Sequence, residues 1–299
     1  MQNAKLFNYL HLHLIVFIWG FTAVLGALIS IEAIPLVWFR MLFASFFIIL
    51  YIRIRNVPLR NTRKTLGAFL VAGFLIALHW LTFFGAIKIS NVSVTLAVMS
   101  TGAFFTSFIE PIYYKRRIVG YEVLFGFLAM IGLYIIFRVE SDNILGIILA
   151  LCSAFLAAMF AVINGKLVQR HRASVISFYE LFFGMLCISI FLAFRGDFSQ
   201  DFFRLKGSDW IYLLVLASVC TAYAFLASVN IMKWLSPYTV MLTINLEPVY
   251  GIILALLILG DSENMSPGFY YGALIILLTV LANGVFKMRT KRKMRKESD

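Results

Sequence analysis

The chain has 299 residues, of which 62% are hydrophobic and 13% charged, with a mean hydropathy of +0.92 and a formal net charge of +12. So much apolar surface is more than a water-soluble domain of this length can bury, which excludes that class. The basic excess decides little by itself, because membrane proteins with basic inner loops and nucleic-acid binders both carry one.

Ten apolar stretches follow one another along the chain: 10–30, 34–52, 66–87, 92–114 and 119–137, then 144–164, 175–194, 210–231, 237–259 and 267–286. Each holds about 20 residues, enough at ~1.5 Å per residue to cross a ~30 Å hydrocarbon core. Backbone polar groups must be satisfied within lipid, so the stretches are predicted to be helices. The expected fold class is an all-α polytopic membrane protein with ten transmembrane helices arranged as two inverted five-helix repeats. An odd number of spans in each half turns the second half upside down relative to the first. The predicted divisions are 1–139 for the first repeat, 140–286 for the second and 287–299 for a basic cytoplasmic tail.

Charge sets the orientation. With both termini in the cytoplasm, the inner loops hold Arg53, Arg55, Arg60, Arg63 and Lys64, then Lys115, Arg116 and Arg117, then Lys166, Arg170 and Arg172, and the tail adds seven more cations from Lys287 to Lys296. The outer loops carry Glu32, Glu140, Asp142, Asp197, Asp201, Asp209, Asp261 and Glu263 with few basic residues. The positive-inside rule selects this orientation, and the basic tail is read as a topology and lipid-headgroup determinant, not a nucleic-acid arm. The first stretch is too long, and too poor in preceding charge, for a secretory signal. Cys152, Cys187 and Cys220 all lie within spans, which provides neither a disulfide framework nor a metal-ligand spacing. Only the segment from Arg195 to Asp209 forms an extended loop.

Internal similarity is weak but sits where the topology needs it. At an offset of 146 residues, Ser90, Val94, Leu96, Ile112, Gly126 and Leu128 recur as Ser236, Val240, Leu242, Ile258, Gly272 and Leu274. This register sets Glu247-Pro248 against Thr101-Gly102, so Gly102 and Pro248 are predicted to weaken the fourth and ninth helices at similar depth. Aligning Glu110-Pro111 with Glu247-Pro248 instead would misplace the helix ends by about two turns. A second register, at an offset of 140, sets Arg40 on Glu180.

Trp19-Gly20 in the first span, Pro35 with Arg40 in the second, Phe83 to Ser90 leaving the third, Leu246-Glu247-Pro248-Val249 in the ninth and Gly272 in the tenth resemble the EamA branch of the drug/metabolite transporter superfamily. The resemblance covers essentially the whole chain and rests on spacing and topology together. It implies a ten-helix carrier of amino acids or other small metabolites, commonly an exporter. Two positions depart from the family's pattern: Lys115 stands where a glutamate is usual at the end of the fourth span, and Asp261 stands at the matching place in the second half.

Ionisable groups inside a span cost a few kcal/mol on insertion scales and tend to face the bundle interior or a watery cavity. Glu247 ranks first, near mid-depth. Pro248 cannot donate to the carbonyl of Ile244, and Asn245 adds an amide beside the loosened backbone. Such a site suits a substrate amine or a coupling cation. Arg40 offers a planar, permanently charged fork to a substrate carboxylate, the competing reading being that it snorkels toward the outer headgroups. Glu180 is expected near the cytoplasmic side, paired with Lys166 or Arg172. His79, Trp80, Phe83 and Phe84 share one broad helix face that could stack an apolar substrate portion, the competing reading being helix packing. Trp19, Thr101, Tyr223 and Asn230 complete the candidate substrate-binding set, Glu247 and His79 are the coupling candidates, and Glu110 is expected in an interfacial ion pair with Lys115, Arg116 or Arg117.

The expected function is therefore secondary-active export of a small metabolite by alternating access, in a bacterial cytoplasmic membrane. The partners expected are the substrate, the lipid bilayer, a coupling proton or cation and, as an option, a second copy of the chain. No cofactor, metal or nucleic acid is expected. The alternatives are a non-transporting scaffold or channel subunit and, further off, an intramembrane enzyme. For the enzyme the sequence offers no paired aspartates or Gly-rich phosphate loop, and for the channel no repeating polar stripe.

Overall fold

The computed structural model describes residues 2–117 and 120–296, with side chains left undescribed at 2–6, 122–123, 141, 280 and 287–296. Thirteen α-helices carry the described chain: α1 (Gln2–Leu28), α2 (Ala33–Ile54), α3 (Arg63–Ile89), α4 (Val92–Met99), α5 (Gly102–Tyr113), α6 (Gly120–Val139), α7 (Ile144–Leu167), α8 (Ala173–Arg195), α9 (Gly207–Ala217), α10 (Ala224–Ile231), α11 (Pro237–Ile244), α12 (Glu247–Leu259) and α13 (Pro267–Lys296). Among the described residues, nine helical segments are long and apolar enough to cross a membrane, and Leu124–Val139 is a shorter apolar helix. Val119, the predicted start of the fifth span, lies outside the described residues. The last helix runs on to Lys296, well past the predicted end of its span.

Three spans are interrupted, and each interruption has a local cause. Between α4 and α5 the hydroxyls of Ser100 and Thr101 turn back on Ala97 O (2.6 Å) and Val98 O (2.8 Å), while Thr101 N–H tightens to Val98 O at 3.0 Å. Side-chain back-bonding of this kind competes with the regular ladder. Between α11 and α12 the amides of Asn245 and Leu246 likewise bond three residues back, to Leu242 O and Thr243 O, and Pro248 has no N–H to restore the lost bond. The breaks thus fall at Ser100–Thr101 and Asn245–Leu246, just before the predicted Gly102 and Pro248. Between α9 and α10, Ser218–Tyr223 winds as a π turn, in which Thr221 Oγ1 donates to Leu216 O five residues back.

The starts of the paired half-helices fix the internal register. Asn91 caps α4 through its side chain, which accepts from Val94 N–H, and Ser236 caps α11 by accepting from Thr239 N–H. The caps are 145 residues apart, one fewer than the sequence register. Each cap is completed by a carboxylate from the other half. Glu263, just after α12, accepts Val92 N–H at 3.0 Å and Ser93 N–H at 2.8 Å, while Glu110, near the end of α5, accepts Tyr238 N–H at 2.9 Å. A carboxylate at a helix N-terminus satisfies orphan amides and meets the favourable end of the helix dipole.

Packing follows the same pairing. α2 lies on α8, α4 on α12, α5 on α11 and α6 on α13, while α3 packs on α7 as α1 packs on α9 and α10. One large apolar core joins spans one to four and six to nine, and a smaller one gathers residues around α6 and α13. The outer surface keeps large apolar side chains such as Phe46, Leu50, Phe194 and Leu257 exposed, as a lipid-facing surface does.

Candidate functional site

The interruptions surround one cavity. Its wall takes Trp19 and Thr22 from α1, Arg40 from α2, His79, Trp80 and Phe83 from α3, Phe160 from α7, Phe225 and Ser228 from α10, and Met241, Asn245, Glu247 and Pro248 around the ninth-span break. About 100 Å³ of it is open to the centre of a water-sized sphere. That is several times the ~10–15 Å³ that one water requires.

Arg40 is 2% exposed and lies in the bundle interior. Its guanidinium carbon stacks 3.9 Å over the ring of Trp80 and 5.3 Å from that of Phe84, and Nε donates to Thr221 Oγ1 at 2.7 Å. Snorkelling toward the headgroups is therefore not what this side chain does. Stacking of a desolvated guanidinium on Trp is worth about 2 kcal/mol or more, and the fork remains free to bond. Nη1 has no partner. The π turn is what brings Thr221 to this position, and it also frees Cys220 O to accept from Trp19 Nε1 at 3.1 Å.

Glu247 opens α12 at the break and faces the same cavity. The ion pairs among the described residues are Arg116–Glu110, Arg195–Asp197 and Arg204–Asp201, so Arg40 and Glu247 do not pair with each other. Asn245 is 1% exposed and its Nδ2 is without a partner. One wall thus presents a carboxylate, and the cavity as a whole offers two unused donors. The rest is largely apolar, with aromatic rings, aliphatic side chains and a few hydroxyls, and Met99, Met232 and Met241 supply side chains that can repack around different shapes.

Seven sequence candidates meet in this cavity: Trp19, Arg40, His79, Trp80, Phe83, Asn245 and Glu247. Three do not. Thr101 is buried with its hydroxyl turned to Val98, Tyr223 is 44% exposed and hydrogen-bonded to His11 at 2.9 Å, and Asn230 is exposed. His79 is tied to α7: its Nδ1 lies 2.8 Å from Ser153 Oγ and 3.0 Å from Ser153 O, and Ser153 Oγ donates to His79 O. Glu110 forms the expected interfacial pair with Arg116, a long one at 3.9 Å, in addition to its cap. Glu180 bonds to Asn164 and pairs with neither Lys166 nor Arg172, because its side chain points into the helix packing. Sequence reasoning missed the α7 wall and Thr221. Small apolar residues on α7 give no chemical signal, and nothing in the string SVCTAY announces a π turn.

Comparison with known proteins agrees with this architecture. The model of the EamA-like transporter family matches twice, over residues 6–138 and 144–284. A protein described as an uncharacterized transporter from Clostridium kluyveri is 25% identical over 224 residues, covering 71% of each chain. A solved crystal structure superposes with a TM-score of 0.68 at 14% identity, covering 92% of this chain and 96% of that one, a likeness of fold alone. With the family model matching nearly the full length in two copies, the chain belongs to the EamA-like transporter family and is a multi-pass membrane transporter.

Proposed function

We propose that this transporter is a secondary carrier for a small zwitterionic metabolite of amino-acid type with an apolar or aromatic side chain. The observation that carries this reading is that Arg40 and Glu247 face one cavity without neutralising each other. Opposite charges left apart in a low-dielectric site are costly unless a ligand brings the complementary charges. A substrate carboxylate would take the Arg40 fork and the Asn245 amide, a substrate amine would take Glu247, and the side chain would lie among Trp80, Phe83, Phe160 and the methionines.

The two carboxylate caps suit alternating access between inverted halves. With both termini in the cytoplasm of a bacterial inner membrane, the Glu263 cap lies at the outer face and the Glu110 cap at the inner face. Releasing one cap while the other holds would open the cavity to one side at a time. Export is the direction carried over from the family resemblance.

An untargeted metabolite comparison between cells lacking and overproducing the protein tests the substrate class. A zwitterionic amino-acid-type compound should leave cells faster with overproduction, and a change confined to uncharged or purely anionic compounds would contradict the reading. For orientation, a cysteine placed by Ser262→Cys should react with an impermeant thiol reagent in intact spheroplasts. Protection there would reverse the assignment.

A further inference from the structure

Outside the cavity, the inner part of α8 holds a second polar cluster. Glu180 is 0% exposed, as are Asn164 on α7 and Ser177 one turn before Glu180. Asn164 Nδ2 donates to Glu180 Oε1 at 2.9 Å. The other carboxyl oxygen, Oε2, has no partner, and neither do Asn164 Oδ1 and Ser177 Oγ. Each buried polar atom left unpaired costs about 1–3 kcal/mol, so three together need a reason.

No charged group faces the carboxyl. On α2, Arg40 is turned to Thr221, Trp80 and the cavity, and on α3, His79 is bonded to Ser153. On α7, Lys166 lies 5.1 Å over the ring of Tyr113, and on the π turn Cys220 is turned to Ile18 O. On α8 itself, Tyr179 donates to Leu59 O. His171, just before α8, rests edge-on against Phe69. Of the other cations on these helices, Arg53, Arg63 and Lys64 are exposed at the inner ends, Arg195 is exposed at the far end of α8, and Lys88, at the far end of α3, donates to Ile29 O.

A bare carboxylate in this setting would be an uncompensated buried charge, so a bound cation must neutralise it. Hard metal ions take six or more oxygens, twice the three unpartnered ones here. A proton needs only one oxygen, and on Oε2 it would create a donor in a cluster that already holds unused acceptors. The surroundings link this cluster to the cavity. A side chain on Gly73 of α3 would run into Glu180 O, and one on Gly184 of α8 would come within 2.8 Å of Gly73 O, so the two backbones touch at the Glu180 carbonyl. Further along, α3 carries the cavity residues His79, Trp80 and Phe83. Movement of α3 on α8 therefore alters both places.

We propose that Glu180, with Asn164 and Ser177, is a proton-binding site separate from the substrate cavity, and that the proton it carries drives transport. This rests on the carrier reading above. It assigns coupling to Glu180 and leaves Glu247 to the substrate amine.

The test uses purified full-length protein in liposomes and a pool of radiolabelled L-amino acids. Wild type should accumulate label under an imposed pH gradient. Glu180→Gln, which keeps the Asn164 contact, should fall to the equilibrium level while exchange of labelled for unlabelled substrate continues. Full pH-driven accumulation in Glu180→Gln, or accumulation driven by a sodium gradient alone, would overturn the assignment. A second readout is independent of substrate and separates failure of the carrier reading from failure of the proton site. At neutral pH, the infrared band of a protonated carboxyl should be lost in Glu180→Gln and displaced in Asn164→Ala. A spectrum unchanged in both variants would overturn the proposal even if transport is confirmed, and the expected changes would sustain the site even if the amino-acid pool is not transported.

Discussion

Arg40 and Glu180 occupy the same place in the two halves, 140 residues apart, eight residues into helices that begin at Ala33 and Ala173. Both are almost wholly buried, yet their surroundings differ. Arg40 borders an open cavity, with an aromatic face under its guanidinium and a hydroxyl on Nε, whereas Glu180 lies buried in helix packing with one amide partner. The difference follows from the chemistry of the two groups. A guanidinium keeps its charge under all ordinary conditions, so it needs a π face and room for an anion; a carboxyl can be neutralised where it stands. The repeat fixes position, and the local environment fixes what the position does.

Removing the cation gives the largest expected effect. Arg40→Ala should lower transport at least about 100-fold at matched membrane levels, because it deprives a buried substrate carboxylate of a partner worth ~3–5 kcal/mol. Arg40→Lys should give an intermediate loss, since charge remains and the fork does not. Undiminished transport in Arg40→Ala would dissolve the contrast with Glu180.

Thr221→Val comes next. It leaves Arg40 Nε buried without an acceptor, at ~1–3 kcal/mol, and should weaken substrate binding by about tenfold. The measurement is the concentration dependence of transport, and an unchanged apparent affinity would mean that the π turn does not position Arg40.

Gly73→Ala probes the other side of the comparison. The added methyl meets the Glu180 carbonyl, and the overpacking should cost ~1–3 kcal/mol of stability, read as a lowered melting temperature in detergent. The smallest effect belongs to Ser100→Ala. It removes one back-bond at the fourth-span break and should change stability by only about 0.6 kcal/mol, a typical value for a polar contact between or along membrane helices.

Much of the fold was legible because it depends on long-range composition. Continuous apolar runs are collective signals that single substitutions do not obscure. Pro248 announced a break for a steric reason, whereas Gly102 marked its counterpart just after the actual break at Ser100–Thr101, since hydroxyls break a helix only when they turn back on its carbonyls. Cavity-lining residues were legible where they carried charge inside a span, as at Arg40 and Glu247. Tyr223 misled because an aromatic hydroxyl looks the same whether it faces a cavity or, as here, the half-buried His11. The caps made by Glu110 and Glu263 join residues 128 and more than 170 positions apart and depend on where two helix ends meet, which no local pattern records. The orphaned oxygens around Glu180 were hidden for the same reason.

The central claim is that Arg40 and Glu247 hold opposite ends of one zwitterion. Its most direct measurement is binding to the purified protein of a transported amino acid, its N-acetyl derivative and its methyl ester, in wild type, Arg40→Lys and Glu247→Gln. The account predicts that wild type binds only the free zwitterion tightly, that Glu247→Gln loses its preference for the free amine over the N-acetyl form, and that Arg40→Lys loses its preference for the free acid over the ester. Equal binding of all three ligands by wild type, or preferences that survive in both variants, would contradict it.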